Sequence, residues 1–163
     1  MEILKKAYEI IDQKRDEIIS TLQQFIAIPS VSIRTPGDKP FGEEVDRAFR
    51  FMLEKAQNDG FETFNADNYG GHIDFRGTGG EVMGILGHID VVPEGRDWDY
   101  EPYSATVSDD RIYGRGAIDD KGPVIASYYA MKALKSAGFK PDKTIRLILG
   151  LDEETDWEGM EYY

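Results

Sequence analysis

The tetrapeptide Gly-His-Ile-Asp occurs twice, at residues 71–74 and 87–90, and these copies hold the only two histidines of the chain. Any imidazole chemistry therefore uses His72 or His88. In the first copy, strand alternation sets His72 and Asp74 opposite Ile73 and Phe75, which reads as a solvated strand face after the turn Asn68-Tyr69-Gly70-Gly71. In the second, the His-x-Asp pair comes where the apolar run Val82–Leu86 gives out, before Val91-Val92-Pro93. Residues i and i+2 of a strand point the same way, so His88 and Asp90 emerge together beyond a carboxyl end, where α/β sheets form their sites. The glycine-punctuated segment Gly114–Pro123 carries Asp119-Asp120 and fits neither a dinucleotide fingerprint nor a P-loop. Asp152-Glu153-Glu154 directly follows the last apolar run; alone, it reads equally as a solvated helix start. Three predicted strand ends thus carry His88/Asp90, Asp119/Asp120 and Glu153/Glu154. On one sheet, five carboxylates and one imidazole would crowd a single rim and repel one another unless cations neutralised them. Histidine with oxygen donors and no thiolate suits zinc, manganese or cobalt, in a two-metal site with a bridging carboxylate.

The elements that must position these groups follow from periodicity. Residues 2–27 predict one helix, with Ile3, Leu4, Ile11, Ile18, Leu22, Phe25 and Ile26 near helical spacing and Pro29 as its stop. A second helix is predicted from Glu43 to Asn58, stopped by Gly60, and a third from Gly122 to Ala137, stopped by Gly138. Strands are predicted at Phe61–Asn65, His72–Arg76 and Val82–Leu86, the last apolar enough for burial on both faces. Asp109-Asp110 makes a turn into Arg111–Tyr113, and Thr144–Leu151 is a final buried strand. Thr155-Asp156-Trp157-Glu158 fits a capping box that opens a last helix. This order implies an α/β layered domain with a mixed sheet flanked by helices.

Composition narrows the classes. Nineteen basic against 31 acidic residues leave a net charge of −12, which argues against nucleic acid or an anionic membrane as the main partner. The absence of cysteine excludes disulfides, thiolate ligands and a cysteine nucleophile. No run approaches the roughly 18 apolar residues of a membrane span. The charged start Met1-Glu2-Ile3-Leu4-Lys5-Lys6 lacks an apolar signal core, so a cytoplasmic location is expected.

Gly87-His88-Ile89-Asp90-Val91-Val92-Pro93, then Tyr113–Pro123, then Asp152-Glu153-Glu154 together resemble the M20 metallopeptidases. Ile28-Pro29-Ser30-Val31-Ser32 and Asp67–His72 resemble, more narrowly, the PepV-like bacterial dipeptidases. The likeness spans nearly the whole chain. It implies a zinc-dependent dipeptidase acting on short peptides with a free N-terminus; an N-acyl amino acid deacylase or a carboxypeptidase of the same fold is the alternative. By the resemblance, His88 binds one zinc, Asp119 bridges both ions and Glu154 binds the other. Asp90 orients the His88 ring, Glu153 is the general base, and a cis peptide bond is expected at Asp119-Asp120. The family also carries a further aspartate and histidine ligand downstream of the glutamate pair, and a lid domain, in chains well over twice this length. No histidine follows His88. Residues 1–163 are therefore expected to be an N-terminal part of an incomplete zinc-peptidase catalytic domain, with three of the five ligands, no lid and little activity alone. The non-enzymatic alternative is a piece that folds incompletely and binds metal weakly or not at all. The oligomeric state is left open.

Overall fold

Two helices, α1 (Glu2–Gln13) and α2 (Arg15–Ile26), replace the single helix expected over residues 2–27. The computed structural model describes residues 2–163. Lys14 makes the break: its φ of −98° and ψ of 9° leave helical geometry, although its amide still donates to the Ile10 and Ile11 carbonyls. The two pieces dock separately on α4 (Lys121–Ala137). Ala7, Ile10 and Ile11 meet Ala133, Leu134 and Ala137, whereas the Thr21 hydroxyl meets that of Tyr129 at 2.8 Å. A break of one residue leaves the apolar spacing nearly intact, so periodicity could not register it.

Helix α3 (Glu43–Asn58) spans the expected residues and buries Val45, Phe49, Met52 and Leu53. Its first turn holds Glu43, Glu44 and Asp46, negative charge where the helix dipole favours it. Four strands form the main sheet: β1 (Glu62–Asn65), β2 (Gly70–Phe75), β3 (Val82–His88) and β6 (Thr144–Gly150), ordered β1-β2-β6-β3. The β1/β2 and β2/β6 pairs are antiparallel and the β3/β6 pair parallel, so the sheet is mixed, as expected. Alternation gives it two different faces. Gly71 lies against the Phe49 ring of α3, and Ile73, Leu147 and Leu149 share that core with Tyr128 of α4. Gly70 and Gly150 face the other way, onto Met160 and Trp157.

Three expectations need correction here. The β3 strand is not buried on both faces: it lies at the sheet edge, with Val82, Met83 and Leu86 exposed. An apolar run reports a preference for cover, and among the described residues α4 covers only one side of it. Arg111–Tyr113 is β5, paired with β4 (Thr106–Ser108) in a separate two-stranded hairpin rather than in the main sheet. Asp109 and Asp110, with φ of 49° and 57°, make its turn as expected. The capping box does not form. The last helix, α5 (Glu158–Tyr162), is preceded by Trp157 in the left-handed region, and no side chain of that residue caps it. The Thr155 hydroxyl turns back to the Asp152 carbonyl, and the buried Asp152 carboxylate instead accepts from the Gly159 amide at 3.1 Å. Tertiary burial of Asp152 overrode the local motif.

Candidate metal centre

Strand β3 ends on His88, opposite Gly150 in the parallel register, so the residues that follow β3 and β6 leave the sheet side by side. The Ile89 amide extends the ladder by one bond, to the Gly150 carbonyl at 3.0 Å. Beyond it, Asp90 is completely buried. Its carboxylate holds three groups at once. His88 Nδ1 lies 3.2 Å from Asp90 Oδ1 and 3.1 Å from the Asp90 carbonyl, whereas the amides of Glu153 and Glu154 donate to Oδ1 and Oδ2 at 3.1 and 3.0 Å. Asp90 therefore fixes the imidazole and the backbone of the glutamate pair together. The sequence suggested only the first role, because the second joins residues 63 and 64 positions apart.

The third arm arrives by a different route from the one expected. Asp119 and Asp120 do not follow a strand of the main sheet; they occupy the turn between the β4/β5 hairpin and α4, and their peptide bond is cis. Asp119 is exposed and brings Oδ1 to 2.9 Å from His88 Nε2. Asp120 points back and accepts the His88 amide at 3.1 Å through Oδ2. This contact depends on Gly87, since a Cβ there would come within 2.8 Å of both Asp120 Oδ2 and Val124 Cγ2. Glu153 Oε2 lies 3.8 Å from His88 Nε2. His88, Asp90, Asp119, Glu153 and Glu154 thus gather at one rim.

The charges are unbalanced. Burial works against the His88 cation, but hydrogen bonding and charge from Asp90, joined by Asp119, outweigh it and raise its pKa to about 9. Burial raises Glu154, and the Asp119 carboxylate adds to the shift. Burial likewise raises Asp120. One imidazolium faces five carboxylates, so the centre favours a cation.

The donor set also fits a metal in kind and spacing. One ligand atom each from His88, Glu153 and Glu154 lie within 4.8 Å of one another. Donors on a tetrahedral zinc ion, at about 2.0–2.2 Å each, stand roughly 3.4 Å apart, so the three side chains would draw closer together around an ion. With Nδ1 donating to Asp90, the Nε2 atom of a neutral His88 faces the carboxylates with its lone pair.

His72 lies elsewhere and is not solvated. It is buried in the middle of the sheet, stacked on Phe64 at 5.1 Å, with Nδ1 2.6 Å from the Tyr163 hydroxyl. Asp74 is also buried and accepts two bonds from Arg146, at 2.8 and 2.9 Å. The reading of a wet strand face fails because alternation identifies a face without saying what covers it. Lys121 opens α4 and donates to main-chain carbonyls of Phe25 and Ile28 rather than to a carboxylate.

Residues 84–163 match the pattern described as "Peptidase family M20/M25/M40". The chain is 43% identical over 158 residues to the Beta-Ala-Xaa dipeptidase of Lactobacillus delbrueckii subsp. lactis, covering 95% of this chain and 33% of that protein. Its fold superposes on human carnosine dipeptidase 1 with a TM-score of 0.83 and 29% identity, covering 97% of this chain and 36% of the other. A metallo-carboxypeptidase of the M20 family from Sulfolobus solfataricus gives a TM-score of 0.68 at 25% identity, covering 85% of this chain and 31% of the other. The chain thus spans about a third of the length of the curated relatives it matches.

Proposed function

We propose that the chain, which matches peptidase family M20/M25/M40 over residues 84–163, carries the metal-binding part of a zinc-dependent dipeptidase that cleaves short peptides with a free N-terminus. The observation that carries this reading is the buried Asp90 carboxylate, which ties His88, Glu153 and Glu154 into one donor cluster with Asp119 beside it. Identity of 43% to a Beta-Ala-Xaa dipeptidase supports a dipeptidase above a carboxypeptidase, for which the likeness is 25%. Manganese or cobalt would suit the same nitrogen and oxygen donors.

In this reading His88, Asp119 and Glu154 would hold the ions, with Asp119 serving both. Bound metal would supply Lewis acidity there, polarising the peptide carbonyl and acidifying the attacking water. Asp90 keeps the His88 ring turned so that Nε2 faces the ions. Glu153 takes a proton from the water at its carboxylate and returns it to the leaving amine. Its backbone amide, fastened to Asp90, sets the point on the main chain from which that side chain projects.

These residues supply two protein ligands to each ion, against the three usual at a catalytic zinc. The 163-residue chain assayed alone on a simple dipeptide, with added zinc or manganese, is accordingly expected to turn over far more slowly than the longer relatives. Equilibrium dialysis tests the centre directly. Wild-type chain should retain zinc and His88→Ala should lose most of it; equal retention by both would refute the assignment.

A further inference from the structure

We propose that Lys121 is a positioning residue, its buried side-chain nitrogen locking the Asp119-Asp120 arm of the metal centre onto a strut, residues 25–31, that also holds the His88-Asp90 arm. The inference rests on the metal reading above. Lys121 is completely buried, a state lysine almost never adopts without partners. Its Nζ donates to the carbonyls of Phe25 at 3.0 Å and Ile28 at 2.6 Å, and lies 5.1 Å from the centre of the Phe25 ring. The Phe25 carbonyl stands in the last turn of α2, where acceptors lack intrahelical donors and the dipole favours a cation, and the Ile28 carbonyl follows just beyond the helix. The Asp119-Asp120 arm is thereby fastened to the strut.

The other arm is fastened to the same few residues. The buried Ser30 hydroxyl donates to the Ile89 carbonyl at 2.7 Å, the Val91 amide donates to the Ser30 carbonyl at 3.0 Å, and Val31 bridges Val91 in parallel. The two attachments are close-packed. A Cβ on Gly116 would come to 3.0 Å from Val91 Cγ1 and 3.1 Å from Lys121 Cδ. Where the arms meet, the His88 amide reaches Asp120 Oδ2 at 3.1 Å and His88 Nε2 lies 2.9 Å from Asp119 Oδ1.

The need for such a strut is physical. Asp119 is exposed, and apart from its contact with His88 it faces the like charge of Glu154, so its own packing does not hold it in place. Were space-filling the only task at position 121, an apolar side chain of similar length would avoid desolvating an amine. The nitrogen makes two bonds to the strut that an apolar side chain cannot make.

Cobalt(II), added to the whole 163-residue chain and followed by its visible absorption, tests this. Lys121→Met should bind cobalt about 10–100-fold more weakly, the usual loss when an outer-shell support is removed, and should shift the absorption band. Ser30→Ala should act in the same direction by less. Leu53→Ala, buried in α3, should lower the urea midpoint and leave cobalt affinity and band unchanged. In the metal-free chain, amide exchange at His88 and Val91 should quicken in Lys121→Met and stay unchanged in the β2/β6 pair. Unaltered cobalt binding, or unaltered exchange at Val91, overturns the proposal. If wild-type chain takes up no cobalt, the metal reading falls, and exchange alone decides the strut. If Lys121→Met does not fold, Ser30→Ala carries both measurements on the same terms.

Discussion

The two Gly-His-Ile-Asp copies share every side chain and almost nothing else. Residues 71–74 lie inside β2, hydrogen-bonded to strands on both sides, so their polar groups can turn only to neighbours on the same face. Arg146 opposite Asp74 neutralises the carboxylate, and Phe64 and Tyr163 enclose the ring. Residues 87–90 run off the end of β3, where the ladder stops and three loops converge. Asp90 meets amides there in place of a guanidinium, and the ring meets carboxylates. The first environment neutralises the pair, whereas the second leaves an excess of negative charge for a cation. A His-x-Asp pair acquires its chemistry from what the rest of the fold sets against it.

That contrast can be broken most decisively at the glutamate pair. In a catalytically active polypeptide containing these residues, Glu153→Gln should cut turnover roughly 10²–10⁴-fold, the usual worth of a general base. Metal content, measured by atomic absorption, should stay close to wild type. Loss of metal with turnover per bound ion preserved would reverse the roles of Glu153 and Glu154.

Removing each aspartate of the two copies separates their tasks. Asp90→Ala should weaken metal binding by about 10–100-fold, because the imidazole and both glutamate amides lose their common acceptor. Asp74→Ala should leave metal binding intact and destabilise the fold by about 3 kcal/mol in urea titration. That is the lower end of the range for breaking a buried pair, since Arg146 keeps partial access to water. Equal effects of the two variants on metal affinity would erase the distinction.

Having only two histidines makes the contrast measurable by NMR titration of the metal-free chain. His88 should titrate near pH 9, where Asp90 and Asp119 outweigh burial. His72 should titrate below 6.5, since burial, aided by Arg146, disfavours its cation despite Asp74. The linkage signs are opposite. The His88 contribution to stability is full below pH 6.5 and disappears as pH rises through about 9. The His72 contribution is present above 6.5 and disappears as pH falls through its lowered pKa. Two superimposable titrations would show that the environments are alike.

The smallest effect sharpens the first copy alone. Tyr163→Phe removes the partner of His72 Nδ1 and should cost about 1 kcal/mol, with cobalt or zinc binding unchanged. A change in metal affinity would couple the Tyr163 hydroxyl to a centre with which, among the described residues, it shares no direct hydrogen bond.

The groups that gather at the rim were legible from residue order. His88 and Asp90 follow an apolar strand, Glu153 and Glu154 follow another, and Asp119-Asp120 lies between glycines before a helix. Helix α3, the Gly138 stop of α4 and the Asp109-Asp110 turn were equally plain, because each depends on local periodicity or on a backbone angle that few residues tolerate. The break at Lys14, the edge position of β3 and the failure of the Thr155 cap were not. Each depends on what another part of the chain places alongside.

By itself, then, the sequence determined which apolar runs end in histidine and carboxylate residues, which residues carry donor atoms suited to a cation, and that no thiolate is available. Such properties belong to one residue or to a short periodic run, and survive without knowledge of the fold. Only the tertiary structure decided that Asp90 serves three groups, that Asp120 supports His88 through Gly87, that Lys121 reaches across to α2, and that His72 is buried beside Tyr163. Each of those contacts joins residues that are distant in sequence or depends on burial, and a hydrogen bond between distant residues leaves no periodic trace in either segment.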